Sequence, residues 1–240
     1  MHTARVRILV ATVIAAAGLA SAAPPRSLFL EELTWTEFRD AVAGGVTVVL
    51  VPVGGTEQNG PHMALGKHNA RARELARRIA ERLGNAVVAP VVAYVPEGSI
   101  DPPTGHMRYP GTISIPDDAF ERSLESAARS LLRHGVRHVV FLGDHGGYRR
   151  SLERVAARVK GAYFIPEYYR ELQHAGADDT SLTLAVNPAM VRTDRLDAVR
   201  SGEAGAQGAP AAATAQRGAE LAREIVDRTA AAIGKIASGR

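Results

Sequence analysis

The 240-residue sequence contains no cysteine. Disulfide bonds are therefore excluded as a source of stability, and a metal site built on thiolates is excluded as well. Aromatic residues make up only 5% of the chain, and no run of lysine and arginine is interleaved with them. This excludes the usual footprint of a nucleic-acid-binding protein. Any metal site must be built from histidine, aspartate, glutamate and amide side chains.

The first 22 residues have the three-part pattern of a secretory signal. Arg5 and Arg7 precede an almost wholly apolar stretch, 8–20, which is too short for a comfortable membrane span, and small residues follow at 20–22. The pattern predicts a signal peptide over 1–22 and an exported protein, periplasmic or secreted; an uncleaved N-terminal anchor is the alternative. Cleavage removes both arginines and lowers the formal charge from +4 to +2. After cleavage we expect no association with a membrane.

Apolar runs and helical patterns alternate along the rest of the chain. Thr34 and Glu37 have the spacing of a capping box, which predicts a helix that ends near 44–45. Strand, helix, strand, helix in alternation predicts an α/β fold with a mostly parallel central sheet, in one domain over 23–240. We expect 201–214 to be a loose connection. The expected strands are 46–53, 86–95, 139–142 and 162–165, and the further expected helices are 68–83, 117–134, 151–159 and 219–236.

Histidines and carboxylates gather in the segments that follow the predicted strands. In open parallel sheets such segments meet in space at the carboxyl ends of the strands. Imidazoles and carboxylates brought together there are ligands for a divalent cation, whereas the structural alternative is a set of helix caps and turn residues. The residues concerned are Glu57, His62, His68, His106, Asp144, His145, His174 and Asp179.

Four motifs resemble those of the creatininase-type amidohydrolases and occur in the same order. They read PVGGTEQNGPH at 52–62, HMRYPGT at 106–112, GDHGGY at 143–148 and HAGADDTS at 174–181. The resemblance implies a three-layer α/β/α fold, a ring-like homo-oligomer such as a hexamer, and one or two divalent ions, zinc or manganese. It also implies hydrolysis of a cyclic amide or related carbon–nitrogen bond in a small-molecule substrate.

The resemblance assigns roles to particular residues. Glu57 and His145 should bind metal, with His68, Asp179 and His62 as further candidate ligands. His174 should lie over the substrate, and either His174 or Asp144 should pass a proton to the leaving nitrogen. The candidate substrate contacts are His106, Tyr148 and Ser99, the last in a lengthened loop.

Three positions depart from the family pattern. The second histidine ligand is Asn59, the bridging aspartate is His68, and the acid of the last motif is Asp179 rather than glutamate. We therefore expect one firmly bound metal, with the second site weakened, rebuilt with His62 or Asp144, or absent. Lys67 could orient an anionic group of the substrate. A solvated side chain is the alternative that we expect, because lysine is rarely buried.

Two other functions are open at this stage. A family member that has lost the bridging acid could bind a small ligand without turning it over, and a metal-dependent hydrolase could act on esters or phosphates. The hydrolase interpretation depends on Glu57, His68 and His145 lying close together in the fold.

Overall fold

The computed structural model describes residues 25–199 and 205–239. The predicted signal peptide, 1–22, lies outside these residues and stays a prediction. Within the described ranges, no helix has both the length and the apolar character needed to cross a bilayer.

Four parallel strands form the central sheet, in the order β2-β1-β3-β4. The central strand β1 is buried at all six positions, which is why its sequence is an unbroken apolar run without polar alternation. The second expected strand is shorter than predicted. Pro90 interrupts it, and beyond the proline the chain meets the sheet again through an isolated bridge between Val92 and Val53. The strands are β1 (Val48–Val53), β2 (Ala86–Val88), β3 (His138–Gly143) and β4 (Ala162–Phe164).

Six α-helices surround the sheet in the described part of the chain. The predicted capping box is present at the start of the first, where Thr34 and Glu37 bond each other's backbone N–H. The fifth helix was not predicted. The helices are α1 (Trp35–Ala43), α2 (Lys67–Leu83), α3 (Asp117–Arg133), α4 (Arg149–Arg158), α5 (Ala177–Val186) and α6 (Ala215–Ala237).

The side chains of β1 alternate between two cores. Val49, Val51 and Val53 pack with α1, α3 and α4 on one face of the sheet. Val48 and Leu50 pack with α2 and α6 on the other. The structure therefore confirms the three-layer α/β/α sandwich with a parallel sheet.

Strand register places the functional segments side by side. Val53 at the end of β1 pairs with Gly143 at the end of β3, so both strands leave the sheet at the same level. Gly54 lies so close to Asn69 that a β-carbon at Gly54 would overlap it, and Asn69 Oδ1 accepts a bond of 2.9 Å from Gly55 N. The close approach, which only glycine allows, brings the start of α2 to the end of β1.

Candidate metal centre and active site

Four side chains converge beyond the carboxyl ends of the strands. Glu57, Glu97, His106 and His145 each offer one ligand atom, and these atoms all lie within 4.8 Å of one another. We call these four residues the outer cluster. Two of them, Glu57 and His145, were predicted as ligands, His106 was predicted as a substrate contact, and Glu97 was not predicted. The ligand roles stay predictions, but the structure brings the four together.

Glu97 and His106 are held at the two ends of one closed loop. The N–H of Glu97 donates to Ser114 Oγ at 2.9 Å, which fixes the start of the loop. Its base is closed by two bonds between Ser99 and Thr104, of 2.8 and 3.0 Å. Ser99 itself is exposed, and its hydroxyl donates to the Asp101 carbonyl at 3.3 Å. Its predicted contact with substrate stays a prediction.

The electrostatics of the outer cluster favour a cation. Burial, together with the neighbouring charge of Glu57, raises the pKa of Glu97 to about 10. Burial also tends to raise the pKa of Glu57, but hydrogen bonds from His106 and His68 hold it well below its ordinary value. Oε1 of Glu97 is buried and has no hydrogen-bond partner in the described part of the chain. With a pKa of about 10, Glu97 is protonated at pH 7 in the metal-free protein, and a bound cation would take the place of that proton.

The donor set matches zinc or manganese. It supplies two carboxylates and two imidazoles, and it contains no sulfur. Burial lowers the pKa of His145 to about 4, although the charge of Glu57 opposes this shift. His145 is thus neutral at pH 7, the form in which imidazole binds a metal.

His68 lies behind the outer cluster and bridges two buried carboxylates. Its Nε2 is 2.8 Å from Glu57 Oε1, and its Nδ1 is 2.6 Å from Asp144 Oδ2. Its ring centre is 5.3 Å from that of His145. Glu57, His68 and His145 therefore do meet, but both ring nitrogens of His68 already face carboxylate oxygens of the protein. Its ligand role stays a prediction, and in this structure His68 links the two carboxylates.

Asp179 is engaged by two buried cations instead of facing the outer cluster. It forms an ion pair with Lys67, and its Oδ1 accepts a bond of 2.6 Å from Arg71 Nη1. Lys67 is only 1% exposed, so its predicted solvated state is wrong. Asp144 pairs with the same arginine at 2.7 Å. We call Lys67, Arg71, Asp144 and Asp179 the inner cluster.

Asp144 is poorly placed for its predicted role as a proton donor. Burial tends to raise its pKa, but the charge of Arg71 and the bond from His68 outweigh burial and lower it. The carboxylate is therefore ionised at neutral pH, and its Oδ2 already accepts bonds from Arg71 and His68, which leaves it little capacity to take up a proton. Its other oxygen accepts a bond from the Tyr168 hydroxyl at 3.2 Å.

His174 lies next to the outer cluster, as predicted for a residue over the substrate. Its Nδ1 is 3.6 Å from Glu57 Oε1, and its ring centre is 4.4 Å from that of His106. Burial and the charge of Lys67 lower its pKa to about 4. Its Nε2 lies 3.0 Å from the Gln58 carbonyl. Nε2 is also 3.0 Å from the side-chain amide nitrogen of Gln58. Nδ1 carries the free lone pair in the tautomer whose Nε2–H donates to the carbonyl, and Nε2 carries it in the tautomer that accepts from the amide.

Two further predicted residues lie away from the cation ligands. His62 is fully buried and forms a bond of 3.0 Å with Thr180 Oγ1, and it is not among the four convergent ligands. Tyr148 is also fully buried, with its hydroxyl 2.7 Å from the Val53 carbonyl and accepting from His145 N at 3.0 Å. The hydroxyl of Tyr148 is used within the protein, and its predicted contact with substrate stays a prediction.

A cavity of about 140 Å³ opens onto the site and is lined by residues of both clusters. Its lining includes all four residues of the inner cluster and, of the outer cluster, His145, together with His174 and Tyr169. A second depression is lined by Glu97, His106 and His145. Three of the four outer-cluster residues therefore border open space.

Comparison with known proteins agrees with this geometry. Residues 31–233 match the family model described as "Creatininase: Creatinine amidohydrolase". The creatinine amidohydrolase of Pseudomonas putida is 31% identical over 202 residues, covering 71% of this chain and 76% of that protein. The mycofactocin precursor peptide peptidase of Mycolicibacterium smegmatis is 35% identical over 210 residues, covering 76% and 82%.

Solved structures show the same fold. A crystal structure of creatininase superposes with a TM-score of 0.70 at 26% identity, covering 88% of this chain and 98% of that one. Other solved creatininases are described as a manganese form and, for a variant, as a zinc–zinc type. Zinc and manganese are therefore the metals of these relatives, and the outer cluster is a group able to hold such an ion.

Proposed function

Since this chain belongs to the creatininase family of amidohydrolases, we propose that it is an exported, metal-dependent hydrolase of a carbon–nitrogen bond in a small amide-like compound. The observation that carries the proposal is the convergence of Glu57, Glu97, His106 and His145 beside the neutral imidazole of His174. A ligand-binding protein without catalysis would have no use for a base held next to four such ligands.

The outer cluster would hold a zinc or manganese ion. When bound, such an ion supplies a Lewis acid that polarises a carbonyl group and makes water acidic enough to ionise near neutral pH. Glu57 is fully buried and tied to His68, so its position is fixed before any ligand arrives. Glu97 and His106 are tied through the closed loop between them.

His174 is the residue that we assign to proton transfer. Because its pKa is about 4, it is unprotonated at neutral pH and can accept a proton at Nδ1. It then carries that proton to the leaving nitrogen, which is a poor leaving group until it is protonated. The neighbouring Gln58 carbonyl holds the ring through Nε2 and so keeps Nδ1 toward the site.

The cavity favours a small substrate. Its volume of about 140 Å³ matches a compact molecule and not a folded protein. A peptide amide is the second candidate substrate, because the relative from Mycolicibacterium smegmatis is a peptide peptidase and is 35% identical. Lys67 and Arg71 are paired with Asp179 and Asp144, so an anionic substrate group would have to compete with these carboxylates.

A substrate panel tests the proposal. The chelated protein is reloaded with Zn²⁺ or Mn²⁺ and assayed on cyclic amides, N-formyl compounds, short peptides and phosphate monoesters. We expect turnover of amides only in the loaded protein, and a fall in kcat of about 10²- to 10⁴-fold in His174→Asn. His134→Asn, at an exposed helix end, is the matched control and should retain full activity. Turnover of phosphates without turnover of amides would reverse the assignment.

Export and assembly are parts of the same proposal. Expression of the full chain should yield a mature protein that begins after Ala22, measured as the intact mass of the exported product. A mass equal to the uncleaved chain would contradict it. The homo-oligomer is tested by light scattering of the purified mature protein, for which a monomer mass would be the contrary result.

A further inference from the structure

The two clusters lie at the same end of the sheet but differ in which groups bond their carboxylate oxygens. His68 connects them, through Nε2 to Glu57 and through Nδ1 to Asp144. A carboxylate oxygen can accept bonds from donors or bind a cation, and a buried one must do one of these. The partner of each oxygen therefore indicates where a cation is needed.

In the inner cluster every carboxylate oxygen has a donor from the protein. For Asp179, Oδ1 accepts from Arg71 at 2.6 Å, and Oδ2 accepts from Lys67 and from Ala175 N at 2.8 Å. For Asp144, Oδ2 accepts from Arg71 Nε at 2.8 Å, and Oδ1 accepts from Tyr168. Two negative charges are matched by two positive ones, and all four side chains are buried.

In the outer cluster the donors to Glu57 are the imidazoles of His68 and His106, and Glu97 lacks a close donor. Oε1 of Glu97 is buried without a partner in the described residues, and its Oε2 lies 3.9 Å from His106 Nδ1 and 3.8 Å from His145 Nε2. Glu57 Oε2 likewise faces His106 and, at 3.5 Å, His145. No lysine or arginine is paired with either glutamate among the described ion pairs. The outer cluster therefore sets two glutamates against imidazoles and leaves Glu97 Oε1 available to a cation.

We propose that this protein binds a single divalent cation, on Glu57, Glu97, His106 and His145, and that Lys67 and Arg71 permanently fill the space in which a second cation would bind. The inference rests on the proposed function for the presence of a metal, and it adds the number of ions and the identity of the ligands. It distinguishes this chain from the relative that is described as the zinc–zinc type.

The position of Lys67 and Arg71 explains why the inner cluster excludes a metal. Their ammonium and guanidinium groups lie on Asp179 and Asp144 within hydrogen-bonding distance, and both side chains are at least 95% buried. A dication brought to Asp179 would have to displace these charges or lie against them. Displacement would leave a lysine and an arginine buried without partners, which is strongly unfavourable.

Metal stoichiometry tests the inference without an activity measurement. The chelated full-length protein is titrated with Co²⁺, followed by its visible absorption, and the Zn²⁺ content is measured by elemental analysis after gel filtration. We expect both to saturate at about one ion per chain. Binding of two ions, or of none, would overturn the inference.

Two isosteric variants identify the ligands. Glu97→Gln should weaken Co²⁺ binding by at least about tenfold, because it removes one of two charged ligands. Asp179→Asn should leave the single equivalent and its affinity unchanged. Glu167→Gln and Asp178→Asn, which change exposed or half-exposed acids, are the matched controls, and near-ultraviolet circular dichroism verifies the fold of each variant. Loss of the ion in Asp179→Asn, or its unchanged affinity in Glu97→Gln, would overturn the assignment.

The outcomes separate this inference from the proposed function. A protein that binds one cation on the outer cluster but cleaves no amide leaves the inference in place and refutes the hydrolase. An amidohydrolase that binds two cations refutes the inference and leaves the hydrolase in place.

Discussion

Nε2 of His68 lies 2.8 Å from Oε1 of Glu57, in the interior of the protein and at the junction of two charged clusters. The same ring reaches Asp144 at 2.6 Å. His68 thereby joins the ligand set to the interior ion pairs and fixes the orientation of Glu57.

Replacement of His68 by leucine should destabilise the fold. The change keeps a similar side-chain volume but removes one buried donor from each of Glu57 and Asp144, and we expect a loss of about 3 kcal/mol in the free energy of unfolding. Urea denaturation followed by circular dichroism measures it. His134→Leu, at an exposed position, should change stability by less than about 0.5 kcal/mol. Equal stability of His68→Leu and the wild type would mean that the link is not needed.

The metal-free protein should lose stability as the pH rises from 7 to 9. Glu97 has a pKa of about 10 in the folded protein and an ordinary value of 4.5 when unfolded, so in this window the folded state binds more protons than the unfolded state. Stability therefore falls as pH rises, by at most about 1.4 kcal/mol per pH unit. Thermal unfolding of the chelated protein at pH 7, 8 and 9 measures the slope. Glu97→Gln should flatten it, and an equal slope in both proteins would contradict the assignment.

Below pH 6.5 the slope should have the opposite sign. Burial lowers the pKa of both His145 and His174 to about 4, against an ordinary value of 6.5. Between these values the unfolded state binds more protons, so stability rises with pH. The chelated protein should therefore be most stable near pH 6.5 to 7. A maximum above pH 8 in thermal unfolding would be inconsistent with these shifts.

The variant Tyr148→Phe tests whether the hydroxyl of Tyr148 stabilises the fold or contacts the substrate. The variant loses the hydroxyl that bonds the Val53 carbonyl and the N–H of His145, and we expect a loss of about 1–2 kcal/mol in stability. Because the hydroxyl does not reach the cavity, KM should stay within about twofold while kcat falls as His145 loosens. Steady-state kinetics on the best amide of the panel measure both. A large rise in KM at unchanged stability would restore the predicted substrate contact.

Gly218 and Gly234 lie on the same helix, α6, and should respond in opposite ways to alanine. A β-carbon at Gly218 would overlap the carbonyl of Ser181 on α5, so Gly218→Ala should force the two helices apart and lower the melting temperature by several degrees. Nothing lies within 4 Å of a β-carbon at Gly234. Gly234→Ala should therefore raise stability by up to about 1 kcal/mol through helix propensity. A stable Gly218→Ala variant would show that the helices can separate freely.

Much of the fold could be predicted because it is encoded locally. The unbroken apolar run of β1 and the capping box of Thr34 and Glu37 are signals within a few residues of the elements that they specify. Helix α5 was not predicted because its buried face is polar, with Asp179, Thr180 and Ser181 all inside. The helix has no amphipathic pattern, because Asp179 pairs with buried cations and the backbone at Ser181 packs against Gly218 of α6.

The site could be predicted only in part, for a different reason. Glu57 and His145 directly follow strands and belong to recognisable motifs, whereas Glu97 follows a strand that Pro90 interrupts. Its signal, a lone carboxylate at the end of an apolar run, resembles that of Glu57 but carries no motif. Lys67 and Arg71 were not identified as buried because their partners, Asp144 and Asp179, lie more than seventy residues away in the sequence. Long-range charge pairing leaves no local pattern.

The closed loop between Glu97 and His106 has a tip that should accept changes in sequence and two ends that should not. Glu97 is anchored at the start of the loop, and the bonds between Ser99 and Thr104 close its base. The exposed tip at 100–103 therefore does not help to position Glu97 or His106. Insertions or exchanges at the tip can reshape the entrance without moving either anchor. Natural variation and laboratory grafting should therefore diversify selectivity at this tip, while the anchors and the chemistry behind them stay the same.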